Sequence, residues 1–222
     1  MKRALIFPGG AGGNHVRWLM YLDSSIHPEK SIQQKIDFIL NEVYSNLRSF
    51  YNWLPWEAQW RYKDEYESFI QILHEPKDDV AENKTIFLSF DNYELPLYHY
   101  SVLTSCFTSE TSYNQYYNFL KTFDRRIPSK LKENKLVLKS DVLFEKELDI
   151  DFYQSVIKWY ELENHYNEAC IVHNKWYETR KRVEKESLEF YTGPFWQSFL
   201  SRLTHDIEPA RIDVYRNKGL LP

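Results

Sequence analysis

The sequence predicts an α/β domain built on a mostly parallel sheet of about four or five strands, with a helical C-terminal part. Three observations carry that expectation. Short, wholly apolar runs such as Ala4-Leu5-Ile6-Phe7 suit strands buried on both faces, as parallel strands are. Between such runs, apolar residues recur every three or four positions, as on one face of a helix. Strands alternating with helices mean βαβ units with right-handed crossovers, whose ligands sit outside the carboxyl ends of the strands.

Taken in order, the first strand closes at Phe7, and a helix begins near Asn14 with Val16, Leu19, Met20 and Tyr21 at helical spacing. Asp23-Ser24-Ser25 ends it. A second helix opens at Ser31 as N-cap, with Ile32, Ile36, Ile39, Leu40 and Val43 along one side. Trp53, Trp56 and Trp60, with Pro55 suited to a first helical turn, predict a helical annex over about 46–66. Such tryptophans either anchor packing or stack a flat group. Strands are expected at Ser68–Leu73, at the β-rich Thr85–Phe90 and at Leu136–Leu138. Helices are expected over 95–103 and 113–123 and through a C-terminal region of about 149–205. There Phe152, Val156, Trp159 and Tyr160 form one face. Tyr166, Ala169, Cys170, His173, Trp176 and Tyr177 form another, which makes His173 a core or groove histidine. No repeat divides the 222 residues, so one domain over 1–222 is expected.

Composition narrows the function classes. Aromatic residues make up 17% of the chain, too many for a disordered one. A net charge of −4 argues against general nucleic-acid binding. Two cysteines, Cys106 and Cys170, give neither a disulfide framework nor metal-ligand spacing, and suit buried free thiols in a reducing compartment. Pro8 and the glycines after it break the N-terminal apolar run too early for a signal peptide, and no window approaches the ~18 apolar residues of a membrane span. A cytoplasmic protein without membrane or metal partners is the expectation.

Four of the six glycines, Gly9, Gly10, Gly12 and Gly13, fall within five residues between the first strand and the first helix. That arrangement presents backbone N–H groups and a helix N-terminus to an anion; the alternative is a tight turn without a ligand. Two motifs are tested by spacing. The dinucleotide fingerprint starts at Gly10-Ala11-Gly12 but has His15 where its third glycine belongs. The Walker A pattern fails because Asn14 and His15 follow Gly13, which removes both the lysine and the magnesium-binding hydroxyl. A nucleoside or small-molecule kinase is weakened accordingly.

The segment Pro8-Gly9-Gly10-Ala11-Gly12-Gly13-Asn14 resembles the phosphosulfate-binding loop of the P-loop sulfotransferases, in the Pro-Gly-Gly-x-Gly-Gly-Asn form of their divergent microbial and phage-type branches. The run from Leu136 to Phe144 and the helical segment from Phe152 to Trp176 look similar to later parts of those branches. The resemblance implies a P-loop-type three-layer domain and the donor 3′-phosphoadenosine-5′-phosphosulfate. It also implies transfer of a sulfuryl group to a small-molecule or glycan hydroxyl. Gly9, Gly10, Ala11, Gly12, Gly13 and Asn14 would hold the donor, with His15 and Arg17 as the nearest substitutes for the family's lysine. His74, at the end of the second strand, stands where these enzymes often place a general base, with Glu75 beside it. The family's 3′-phosphate site uses an arginine near the end of a later strand and a serine on the next helix. Here Asp91-Asn92-Tyr93 follows the strand without an arginine, Ser101 answers to the serine, and Arg125 or Arg126 would have to compensate. A P-loop-like protein that binds a nucleotide or anion without catalysis remains the alternative.

Overall fold

The computed structural model describes residues 3–45, 69–74, 84–93, 96, 110–123, 125 and 134–192. Four strands, β1 (Arg3–Ile6), β2 (Gln71–Leu73), β3 (Lys84–Ser89) and β4 (Lys135–Lys139), form one sheet in the order β2-β1-β3-β4. Every pairing is parallel, with Leu5 opposite Ile72 on one side and Ile86 on the other. Among the described residues five α-helices accompany them: α1 (Gly13–Met20), α2 (Ile32–Asp37), α3 (Glu110–Phe123), α4 (Ile150–Tyr160) and α5 (Tyr166–Thr192). The protein thus has the expected α/β fold with a parallel sheet and a helical C-terminal part. The predicted annex over 46–66 with Trp53, Trp56 and Trp60, the helix over 95–103 apart from residue 96, Cys106 and everything beyond 192 lie outside the described residues.

Strand alternation sorts side chains onto two faces. Ala4, Ile6 and Phe87 meet Phe119 and Phe123 of α3 on one face. Leu5, Ile86 and Leu88 turn the other way, into the larger core shared with α1, α4 and α5. Helices on both faces make three layers. Tyr160, the last residue of α4, reaches into the sheet: its hydroxyl donates to the Ala4 carbonyl and accepts the Ile86 N–H at 3.2 Å. Burial pushes that phenol well above its ordinary range, so it stays protonated and able to donate.

Helix ends follow local chemistry. Ser31 caps α2 with a full capping box, accepting the Gln34 N–H while the Gln34 side chain accepts the Ser31 N–H. Asp149 caps α4 by accepting the Phe152 N–H at 2.6 Å. α2 does not run on as an ordinary helix. Phe38–Tyr44 is wound as a π-helix, closed by the Ser45 N–H on the Leu40 carbonyl at 3.2 Å. The wider turn buries Tyr44 alongside Ile39 and Val43, while Leu40, placed on the apolar stripe by its spacing, is only half-buried. Cys170 carries a free thiol and is half-buried rather than buried.

The direction of the chain between β1 and α1 is set by a close approach. A side-chain carbon on Gly13 would stand 2.1 Å from the Phe7 ring, so only glycine fits there. Gly13→Ala is expected to destabilise the fold by ~1–3 kcal/mol through overpacking, measured by urea denaturation. Gly13→Ala combined with Phe7→Leu should recover part of that loss.

Candidate functional site

β1 connects to β2 on one side and β3 to β4 on the other, so the strand order reverses between β1 and β3. Crevices at such switch points, beyond the carboxyl ends of the strands, are where open parallel sheets bind ligands. The loop Phe7–Gly12 leaves β1 there. Pro8–Ala11 forms a β-turn closed by the Ala11 N–H on the Pro8 carbonyl at 3.3 Å, with Gly10 at φ 80° in its third position. That positive φ is what a type II turn asks of glycine. Gly12, at φ 75°, is the N-cap of α1, and the His15 and Val16 N–H groups bond to its carbonyl at 2.9 and 3.2 Å. The Gly13 and Asn14 N–H groups precede these first intrahelical bonds. Gly12 has no side chain to cap them, and the first turn holds no acidic residue.

Asn14 adds a second feature. It is buried, and its Oδ1 has no hydrogen-bond partner among the described residues. An acceptor left so costs ~1–3 kcal/mol, which a water or ligand donor would recover. Three neighbours hold the loop in place. The Tyr116 hydroxyl of α3 donates to the Gly9 carbonyl at 2.7 Å. Leu143 and Phe144, in the 3₁₀ turn Asp141–Phe144 after β4, pack against the Cα of Gly12. His74, directly after β2, donates Nδ1–H to the Phe7 carbonyl at 3.2 Å and sets its ring edge-on to Phe7.

That bond fixes the His74 tautomer and leaves Nε2 as the basic nitrogen. The residue is exposed, yet crowding by neighbouring protein holds its pKa below the ordinary 6.5, against the raising effect of the Phe7 carbonyl. His74 is therefore neutral at pH 7, the form a general base needs.

His15 takes no part in the loop's open side. It is fully buried, with Nδ1 2.8 Å from the Tyr44 hydroxyl and Nε2 3.0 Å from His173 Nδ1. His173 Nε2 lies 3.1 Å from the Glu145 carbonyl. A carbonyl only accepts, so the proton order follows from that end. His173 Nε2–H donates to Glu145, His15 Nε2–H donates to His173 Nδ1, and the Tyr44 O–H donates to His15 Nδ1. The His15 ring also stacks on Trp176 at 4.3 Å and 6°. Burial, then His173 and Arg180, hold the His15 pKa well below 6.5. Burial and Arg180 lower that of His173 despite the Glu145 carbonyl. Arg17 is also fully buried, its guanidinium 4.7 Å from the Trp18 ring centroid. The two residues expected to replace the loop lysine are thus both enclosed in the core.

Gly9, Gly10, Ala11, Gly12, Gly13 and Asn14 are brought together with His74, whereas Glu75 and Ser101 lie outside the described residues. Asp91-Asn92 and Ser140-Asp141 share the same sheet edge but are engaged with each other. Asp141 accepts the Asp91 and Asn92 N–H groups at 3.0 Å each, and Lys139 Nζ reaches Ser89 Oγ, the Phe90 carbonyl and Asp91 Oδ1 at 3.1 Å. Arg125 is exposed, and Arg126 lies outside the described residues. Tyr116 and Tyr44 are the contacts that sequence reasoning missed. Nothing local in the sequence says what their hydroxyls reach. Among the described residues no group of acidic, histidine or cysteine side chains could hold a metal ion, and no helix is long and apolar enough to cross a membrane. No family model, curated protein or solved structure matches the chain.

The buried pair makes stability pH-dependent. Both folded-state pKa values are depressed, so stability is fully present above the unfolded value near 6.5 and is lost as pH falls through it. Urea denaturation is expected to show a loss of ~1.4 kcal/mol per histidine for each pH unit below about 6.5, until the folded groups themselves take up protons. In His173→Gln the slope should be visibly shallower; an unchanged slope would remove the pair from this account.

Proposed function

We propose that the chain is a sulfotransferase-like transferase that holds the phosphosulfate end of 3′-phosphoadenosine-5′-phosphosulfate on the glycine loop and moves the sulfuryl group to a small-molecule or glycan hydroxyl. The carrying observation is the open first turn of α1. Two glycines with positive φ lead into it, and its first N–H groups are uncapped. The residues present fit an anion at this position. The end of β3 fits a 3′-phosphate poorly, because Asp91 and Asp141 put two carboxylates where the family places its arginine.

The donor supplies an activated sulfuryl group, and this chain's residues supply position and charge. The Gly10–Asn14 backbone N–H groups and the α1 dipole would stabilise the negative charge that grows on the bridging oxygen as the S–O bond breaks. His74 Nε2 would take the acceptor hydroxyl's proton as its oxygen attacks in line. A second reading, a nucleotide- or anion-binding protein without turnover, is favoured by the burial of both His15 and Arg17.

Adenosine 3′,5′-bisphosphate should raise the melting temperature by several degrees, and more than ATP or NAD does. Gly12→Val, which puts a β-branched residue at φ 75°, should abolish that shift in protein whose circular dichroism is unchanged. His74→Ala should lower transfer by about 10²–10⁴-fold while keeping bisphosphate binding. Binding without turnover in the unmodified protein favours the second reading, and no response to any anion refutes both.

A further inference from the structure

The far end of α1 carries a different kind of site. Tyr21, the C-cap of α1, is fully buried, and its ring lies 5.8 Å from that of Phe38 at a tilt of 37°. Trp18 meets both rings at steep angles, 5.5 Å from Tyr21 and 6.0 Å from Phe38, which holds the pair in place. The half-buried Lys30 sets its ammonium against the two rings. Its Nζ is 5.3 Å from the Phe38 centroid and 5.7 Å from that of Tyr21, and it donates to the Tyr21 hydroxyl at 3.0 Å. We infer that Tyr21 and Phe38 form a binding site for a primary alkylammonium ion, that Lys30 is its resident occupant, and that a free alkylammonium enters when Lys30 leaves. This goes beyond the transferase reading and does not depend on it.

Three features select a cation that carries an N–H. Aromatic rings within about 6 Å attract a positive charge through their quadrupoles. The Tyr21 oxygen accepts a hydrogen bond, which an ammonium supplies and a quaternary ion cannot. α1 ends at Tyr21, and the negative end of a helix dipole favours a cation beside it. An uncharged group of the same shape keeps the apolar contact and loses the attraction to both the rings and the dipole.

Lys30 reaches the site on a short strap. Ile26 is buried and Ser31 caps α2, so both ends of the stretch from His27 to Lys30 are anchored. Between them Pro28 and Glu29 are exposed, and the Lys30 N–H closes a turn on the His27 carbonyl at 3.0 Å. His27 stands at φ 49° directly before Pro28, a left-handed conformation disfavoured for a residue with a side chain and again before proline. That strain favours withdrawal of the strap, and the ammonium's contacts with Tyr21 and Phe38 oppose it. An occupant on so short a tether competes at an effective concentration on the order of millimolar or above. A free ion therefore binds the unmodified chain more weakly than it binds the site itself.

n-Butylammonium, which copies the end of a lysine side chain, is the probe, and n-butanol is its neutral analogue. In Lys30→Ala, n-butylammonium should raise the melting temperature saturably, and n-butanol should not. Lys30→Met, which refills the site with an uncharged stem, should show no such rise. The apparent affinity of the unmodified chain should be at least about 10-fold weaker than that of Lys30→Ala. No saturable rise in Lys30→Ala, an equal rise with n-butanol, or equal affinity in the unmodified chain overturns the inference. If Lys30→Ala does not fold, reductive ¹³C-methylation of the unmodified chain carries the test, with the Lys30 methyl resonance assigned by its loss in Lys30→Arg. Ring currents should set that resonance apart from those of the other lysines, and added n-butylammonium should move it toward them. A Lys30 resonance that coincides with the others, or that stays in place at saturating n-butylammonium, overturns the inference.

Discussion

All eight residues of α1 are buried, and that constraint organises the rest of the protein. A helix enclosed on every side by a sheet, a π-wound segment and a long C-terminal helix cannot leave its polar side chains to water. His15 must find partners inside, and it does so across 29 positions to Tyr44 and 158 positions to His173. The only ends of α1 that lead anywhere are its termini. At the N-terminus, glycines at positive φ keep side chains away from the backbone and leave the first N–H groups uncapped.

The same constraint explains why the first residues after β1 are so specific. Phe7 occupies the volume beside Gly13, and Leu143 and Phe144 approach Gly12. Gly13 is therefore required by packing whether or not a ligand binds, and a glycine cluster is not in itself proof of a binding loop. What turns the reading toward an anion is the combination at one switch point: the uncapped first turn, two glycines with positive φ, and a histidine whose basic nitrogen is left over after bonding to Phe7. Each would be unremarkable by itself.

The sheet was legible because its signal is local. Ala4–Ile6 and Thr85–Ser89 are apolar or β-rich over their whole length, and Ser31 with Gln34 spells out a capping box. The π-winding of Phe38–Tyr44 was not legible, since the same apolar spacing serves an α-helix and only tertiary packing decides that Tyr44 turns inward. The fate of His15 was equally hidden. At a helix start in a glycine-rich loop it resembles an anion ligand, and only the approach of α5, carrying His173 and Trp176, makes it a core residue. Its partners are set by topology, which spacing within the loop cannot report.

The central claim is that the first turn of α1 holds an anion through its backbone. Amide chemical-shift mapping by ¹⁵N–¹H correlation spectroscopy during a sulfate titration tests it most directly. The account predicts that the saturable shifts are largest at the Gly12, Gly13 and Asn14 amides and small along β4 and α4. Saturable shifts centred elsewhere, with those three amides unmoved, would contradict it.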